Sequence, residues 1–324
     1  MLTAILAIII GFVLLVWSAD KFVESASATA FHAGMPPLLI GMLIVGFGTS
    51  APEMVVSAMA ALEGSPALAL GNALGSNVVN ISLVLGFAAI IAPLTVQSKI
   101  VTKELPLLMV VVLVLGAMLW NHTLSQLEAW ALLIGFFVVI FWSIYSGMKN
   151  KGDAMEADTV EDLKTNTMSL KVAGVWLAVS LALLIGSSRL LVWGAVDVAH
   201  ALGISDLIIG LTVVALGTSL PELAATVIAA RKGEHDIALG NVIGSNMFNI
   251  LAVIGIAAAI KPMENIGSEI FWRDWMTMMV TTVVLFITAI SFKGKKGRIN
   301  RFEGAILLLF YIGYNGYLIM DVLK

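Results

Sequence analysis

The pattern Gly-Thr-Ser-x-Pro-Glu occurs twice, as Gly48-Thr49-Ser50-Ala51-Pro52-Glu53 and as Gly217-Thr218-Ser219-Leu220-Pro221-Glu222, each inside a long apolar stretch. Sliding the sequence on itself by 169 residues aligns Gly34 to Pro93 with Gly203 to Pro262 without a gap, and 28 of the 60 positions are identical. A second block repeats in the same register: Gly71-Asn72-Ala73-Leu74-Gly75-Ser76-Asn77-Val78-Val79-Asn80-Ile81 against Gly240-Asn241-Val242-Ile243-Gly244-Ser245-Asn246-Met247-Phe248-Asn249-Ile250. Small-residue motifs recur in membrane helices because they let backbones approach, which accounts for Gly71-xxx-Gly75 and Gly240-xxx-Gly244. It does not account for matched Thr, Ser, Pro, Glu and Asn. The chain is an internal duplication, and its fold must be two copies of one unit.

The solvent of that fold follows from composition: 60% of residues are hydrophobic, 12% are charged, and the mean hydropathy is +1.01. This is an integral membrane protein. Apolar runs of about the 20 residues needed to cross a bilayer cover residues 2–31, 37–62, 66–92, 104–120, 127–148, 171–200, 205–230, 236–260, 270–292 and 303–322. They are continuously apolar, without the alternation of lipid-facing strands, so they predict helices and not a barrel. The expectation is an all-α membrane protein of ten transmembrane helices: residues 1–148 form a first five-helix repeat, 149–170 a cytoplasmic acidic linker and 171–324 a second repeat. An odd number of spans per copy inverts the second repeat. With the N-terminus outside, inner loops carry 13 Lys and Arg and outer segments 3, in keeping with the positive-inside rule. Both termini are then outside a cell (inner or plasma) membrane, and inverted repeats with broken helices meeting at the midplane are an architecture of secondary transporters.

The small net charge of −3 argues against a nucleic-acid partner, and the absence of cysteine rules out disulfides and thiolate-bound metals. Met1 to Leu15 has no positive n-region and runs into Asp20 and Lys21, unlike a cleaved signal. The linker carries Asp153, Glu156, Asp158, Glu161 and Asp162, without the D-x-D-x-D-G spacing of a calcium loop, and reads as a solvated connector.

Read locally, Ser50-x-x-Glu53 and Ser219-x-x-Glu222 are capping boxes with an early proline, an ordinary helix start. Their position makes them more than that: Glu53 is the sixteenth residue of Leu38–Leu62 and Glu222 the sixteenth of Leu207–Ala230, so the helices restart near the midplane. Pro52 and Pro221 supply no N–H, which releases carbonyl oxygens near Gly48, Thr49, Gly217 and Thr218. An ionised carboxylate at the bilayer centre costs at least about 2.5 kcal/mol, and two such groups call for positive charge. Asn72, Ser76 and Asn80, like Asn241, Ser245 and Asn249, share a helix face and add neutral oxygens. The resulting oxygen-only shell suits calcium. His32, His122, His200 and His235 all sit at span ends, as interfacial histidines do.

The paired GTSxPE and GNxxGSNxxNI blocks resemble the two α-repeats of the cation/calcium exchanger superfamily, and the short chain is similar to its prokaryotic sodium/calcium antiporter branch. The resemblance implies a secondary active transporter that exchanges calcium for sodium by alternating access, with no enzymatic activity and no cofactor. Carried over by motif, the ion site comprises Thr49, Ser50, Glu53, Ser76 and Asn80 with Thr218, Ser219, Glu222, Ser245 and Asn249. Asn249 departs from relatives that carry Asp there. The implied partners are calcium and sodium ions and the lipid bilayer. The resemblance further implies that the long first and sixth helices slide across the core. Asp20, Lys21, Glu24, Arg189 and Asp197 lie on them and read as charges snorkelling to the interface, with a gate as the alternative. Three rivals stand beside sodium/calcium exchange: a calcium/proton antiporter of the same fold, a cation channel, and an intramembrane hydrolase using two carboxyls as acid and base.

Overall fold

The computed structural model describes residues 2–62, 64, 66–97, 100–149, 168–202, 215–290 and 297–322. In chain order the helices are α1 (Leu2–Ala33), α2 (Pro37–Thr49), α3 (Ala51–Leu62), α4 (Pro66–Ile91), α5 (Ile100–Leu119), α6 (Gln126–Lys149), α7 (Leu170–Ala201), α8 (Ala215–Thr218), α9 (Leu220–Arg231), α10 (His235–Ile260), α11 (Ile270–Ala289) and α12 (Arg301–Val322). Eight are long and apolar enough to span a bilayer, and the bent pair α2–α3 makes a ninth span among the described residues. The tenth expected span, residues 205–230, is represented by α8 and α9, and its first part lies outside the described residues. The acidic linker also lies outside them, apart from its ends. Among the described residues, two three-residue strands, β1 (Leu94–Val96) and β2 (Gly297–Ile299), add to the all-helical expectation; they pair antiparallel with Leu94 opposite Ile299.

Burial sorts the helices. Within their most apolar windows α4 is 72% and α10 83% buried, against 33% for α1 and 22% for α7. The two central helices are thus α4 and α10, the ones that carry the GNxxGSNxxNI blocks. The block's glycines on α10 set how closely other backbone can approach: a Cβ on Gly240 would lie 2.6 Å from the Leu38 carbonyl oxygen, and one on Gly244 2.5 Å from that of Met42. The packing role expected of the small residues thus holds in α10 but not in α4, where a Cβ on Gly71 or Gly75 meets nothing within 4 Å among the described residues. Outside the centre, α1 and α7 pack along each other, with Ala4 against Gly194 and Trp17 edge-on to Trp176 at 6.0 Å, and so run antiparallel.

Several contacts recur with the halves exchanged. The Leu94–Ile299 pairing has a counterpart in the bridge between Met263 and Leu124. Ser125 and Glu128 form a reciprocal capping box at the head of α6, and Asn300 and Glu303 form the same box at the head of α12. One residue further on, Gln126 Nε2 donates to the Ala259 carbonyl at 3.2 Å and Arg301 Nε to the Ile90 carbonyl at 3.0 Å. Four widened π-type turns also form two pairs, Asn80–Leu85 with Asn249–Ile254 and Ile100–Glu104 with Ile270–Trp275; the counterpart of a fifth, Gly41–Val45, lies outside the described residues. Such turns concentrate at functional sites, and the first pair starts at the two asparagines expected to hold ions.

Candidate ion site

The two GTSxPE segments break their helices as the prolines require. Between α2 and α3 the axis bends by 43° at Ser50, whose backbone sits at φ −83°, ψ 0°; Ser219, between α8 and α9, has nearly the same conformation at φ −92°, ψ 5°. Pro221 deprives the Gly217 carbonyl of its helical donor, and the Ser188 hydroxyl of α7 supplies a replacement at 2.8 Å. The expected capping box is absent at the second break, because Ser219 makes no side-chain cap. At the first break the Ser50 hydroxyl reaches across the molecule to Glu222 Oε1 at 3.3 Å.

That bond places a residue of one repeated motif against the carboxylate of the other. Glu53 and Glu222 are each 1% exposed. Thr49 is braced similarly: its hydroxyl lies 3.0 Å from the Val45 carbonyl and 3.1 Å from Asn241 Oδ1. Asn241 in turn donates to Thr226 Oγ1 at 2.8 Å and to the Glu222 carbonyl at 3.3 Å. Its counterpart Asn72 donates to Ser57 at 3.1 Å. These bonds stiffen the segments after the breaks, and Asn241 has both ends of its amide engaged, whereas the Asn72 bond uses only its donor end. Across the centre, the Ser245 hydroxyl lies 3.4 Å from the Gly46 carbonyl, while Asn80 Nδ2 donates to Asn246 Oδ1 at 3.1 Å and Asn77 Nδ2 to the Asn246 carbonyl at 3.2 Å. Asn77 and Asn246 were not among the expected site residues, although both are identical in the two repeated blocks.

Of the expected site residues, Thr49, Ser50, Glu53, Ser76, Asn80, Ser219, Glu222, Ser245 and Asn249 are buried, and Thr218 is half-buried. What remains unsatisfied among them is informative. Ten buried side-chain N or O atoms of the described residues lack a hydrogen-bond partner, and six of them belong to the repeated blocks: Glu53 Oε2, Glu222 Oε2, Ser219 Oγ, Asn77 Oδ1, Asn80 Oδ1 and Asn249 Oδ1. All six are oxygens with free lone pairs. A protein interior does not leave such groups unpaired without compensation, and a set made of two carboxylates, a hydroxyl and three amide carbonyls is the ligand chemistry of a hard cation.

Elsewhere, the charges on α1 do more than snorkel. Asp20 forms an ion pair with Lys232 at 2.9 Å, just beyond α9, and the Ser27 hydroxyl donates to Glu234 at 3.1 Å. Lys21 pairs with Glu24 along the helix at 2.8 Å.

The sodium/calcium exchanger protein family matches residues 3–145 and 172–320, nearly the whole of both halves. CaxA of Alkalimonas amylolytica is 46% identical over 315 residues, covering 97% of this chain and 98% of that protein. The inner membrane protein YrbG of Escherichia coli is 40% identical over 290 residues, 88% of each chain. Among solved structures, the sodium-calcium exchanger NCX_Mj superposes with a TM-score of 0.82 at 30% identity, covering 96% of this chain and 98% of its own.

Proposed function

Because the chain belongs to the sodium/calcium exchanger protein family, and so to the cation/calcium antiporters, we propose that it exchanges calcium for sodium across the membrane by alternating access. The observation that carries this reading is the set of six unpartnered buried oxygens, Glu53 Oε2 and Glu222 Oε2 among them, contributed by both repeated blocks. Calcium takes six to eight oxygen ligands in flexible geometry. The ion ligands are Thr49, Ser50, Glu53, Ser76 and Asn80 with Thr218, Ser219, Glu222, Ser245 and Asn249. Empty, two ionised carboxylates resist passage through the apolar barrier, whereas one calcium ion or sodium ions neutralise them. Competition for the same carboxylates makes the cycle an exchange.

The architecture that serves this cycle is a pair of inverted five-helix repeats, residues 1–148 and 171–324, joined by a cytoplasmic linker, with both termini outside the inner or plasma membrane. The contacts that recur with the halves exchanged support it, as does the charge asymmetry of the loops. Calcium and sodium are substrates, and the protein catalyses no covalent chemistry.

The test is calcium uptake into proteoliposomes. Sodium-loaded vesicles diluted into sodium-free medium should accumulate radioactive calcium, while potassium or proton gradients of equal size should not drive it. Uptake driven by protons alone would replace this reading by calcium/proton exchange.

A further inference from the structure

Resting on the ion site just proposed, the geometry points to Asn246 as a positioning residue that fixes which end of the Asn80 amide faces the cation. Asn80 and Asn246 stand on the two central helices and are each 1% exposed. An amide side chain has a donor end and an acceptor end, and a half-turn about its last bond exchanges them. The donor end of Asn80 is taken by Asn246 Oδ1 at 3.1 Å, and its acceptor end, Oδ1, has no protein partner. Turning both amides over would aim N–H hydrogens into a place that must attract a positive ion. The Asn246 backbone is held as well: its carbonyl accepts from Asn77 Nδ2 at 3.2 Å, and the same nitrogen lies 3.3 Å from Met278 Sδ on α11. A carbonyl oxygen can only accept, so the sense of the Asn77 amide is unambiguous, and the acceptor that orients Asn80 sits on a fixed segment.

Asn246 touches no ion in this scheme. It acts through Asn80, and the amide it orients belongs to the other half of the molecule. The corresponding bond with the halves exchanged, from Asn249 Nδ2 to Asn77 Oδ1, is not formed, since Asn77 Oδ1 lacks any partner. The device is therefore one-sided: the first-half asparagine is oriented by the second half, and Asn249 has no equivalent hold from Asn77.

The experiment is a double-mutant cycle on the full-length protein in detergent, titrated with calcium chloride by calorimetry. Asn246→Ala should weaken calcium binding about fivefold, the scale of one oriented hydrogen bond. The same change should have no effect in an Asn80→Ala background, where no amide is left to orient. Asn246→Asp, which keeps the acceptor, should retain binding in the Asn80 parent. If Asn246→Ala does not yield folded protein, Asn246→Ser takes its place with the same expectations. Equal weakening in both backgrounds, or none in the parent, overturns the inference. Glu53→Gln titrated alongside separates the two levels of the argument. If it binds calcium like the parent, the ion site itself is wrong and the inference falls with it. If it loses binding while the Asn246 and Asn80 effects add, only the positioning role fails.

Discussion

The two GTSxPE breaks share residues and backbone angles yet differ in how their side chains are held. In the first, Ser50 donates to Glu222 and Thr49 lies against Asn241, so that break is fastened to the second half. In the second, Ser219 Oγ has no partner. A similar difference appears at the heads of α5 and α11, where a basic residue precedes a buried acid in both halves. Asp274 is held by Arg273 at 2.7 Å and by the Tyr314 hydroxyl at 2.9 Å, whereas Glu104 Oε2 has no partner. Similar local sequence thus fixes where the chain turns, and the neighbours brought by folding, from the other half at Ser50 and from the same half at Asp274, decide which polar atoms are tied and which stay available. In the proposed ion site, the untied atoms are the ones left to a cation.

The largest effect expected concerns the carboxylates, where the halves should be equivalent despite their different neighbours. Glu53→Gln and Glu222→Gln should each lower calcium exchange by roughly a hundredfold or more, since ligand charge is the main lever on calcium affinity. A variant retaining near-normal flux would show that only one half carries the load. Next in size is the pair of buried acids. Asp274→Asn should cost about 1–3 kcal/mol in stability, because it weakens the charged acceptor that Arg273 and Tyr314 share. Glu104→Gln should be neutral or stabilising in thermal unfolding, because it removes a buried charge with an unpaired oxygen; destabilisation equal to that of Asp274→Asn would erase the contrast. The serines should divide in kind. Ser50→Ala should lower calcium-free stability by about 1 kcal/mol through its lost bond to Glu222. Ser219→Ala should leave calcium-free stability unchanged and appear only as weaker calcium binding.

The smallest effect lies where α1 meets the turn before α10. Burial pushes the Glu234 carboxyl above the ordinary carboxylate range, opposed by the Ser27 hydroxyl and the Lys232 ammonium. A raised carboxyl favours the protonated form in the folded state, so this contact loses stability as pH rises from the usual carboxylate pKa through the raised one. Glu234→Gln should flatten that part of the pH profile of thermal unfolding, by about 2 °C at most. An unchanged profile would assign the dependence to other groups.

Much of this was legible beforehand because it rests on patterns a bilayer enforces. Span positions followed from apolar run length, and the helix breaks from a proline paired with a mid-span glutamate. What the sequence could not reveal depends on partners brought by folding. Asn72, Ser76 and Asn80 share a helix face, yet Asn72 donates to Ser57 and Asn80 to Asn246, partners that the spacing does not announce. Ser50 and Ser219 both look like helix caps, and the spacing says nothing of a glutamate arriving from the other half. Asp20 looked like an interfacial charge because Lys232 is 212 residues away along the chain.

The central claim is that both repeated blocks build one cation site which calcium and sodium share. Its most direct test is calorimetric calcium binding to the purified protein at increasing sodium chloride, with choline chloride holding ionic strength constant. The account predicts saturable binding whose apparent affinity falls with sodium as for competitors at a common site, and which is lost in both Glu53→Gln and Glu222→Gln. Calcium affinity indifferent to sodium, or binding that survives either substitution, would contradict it.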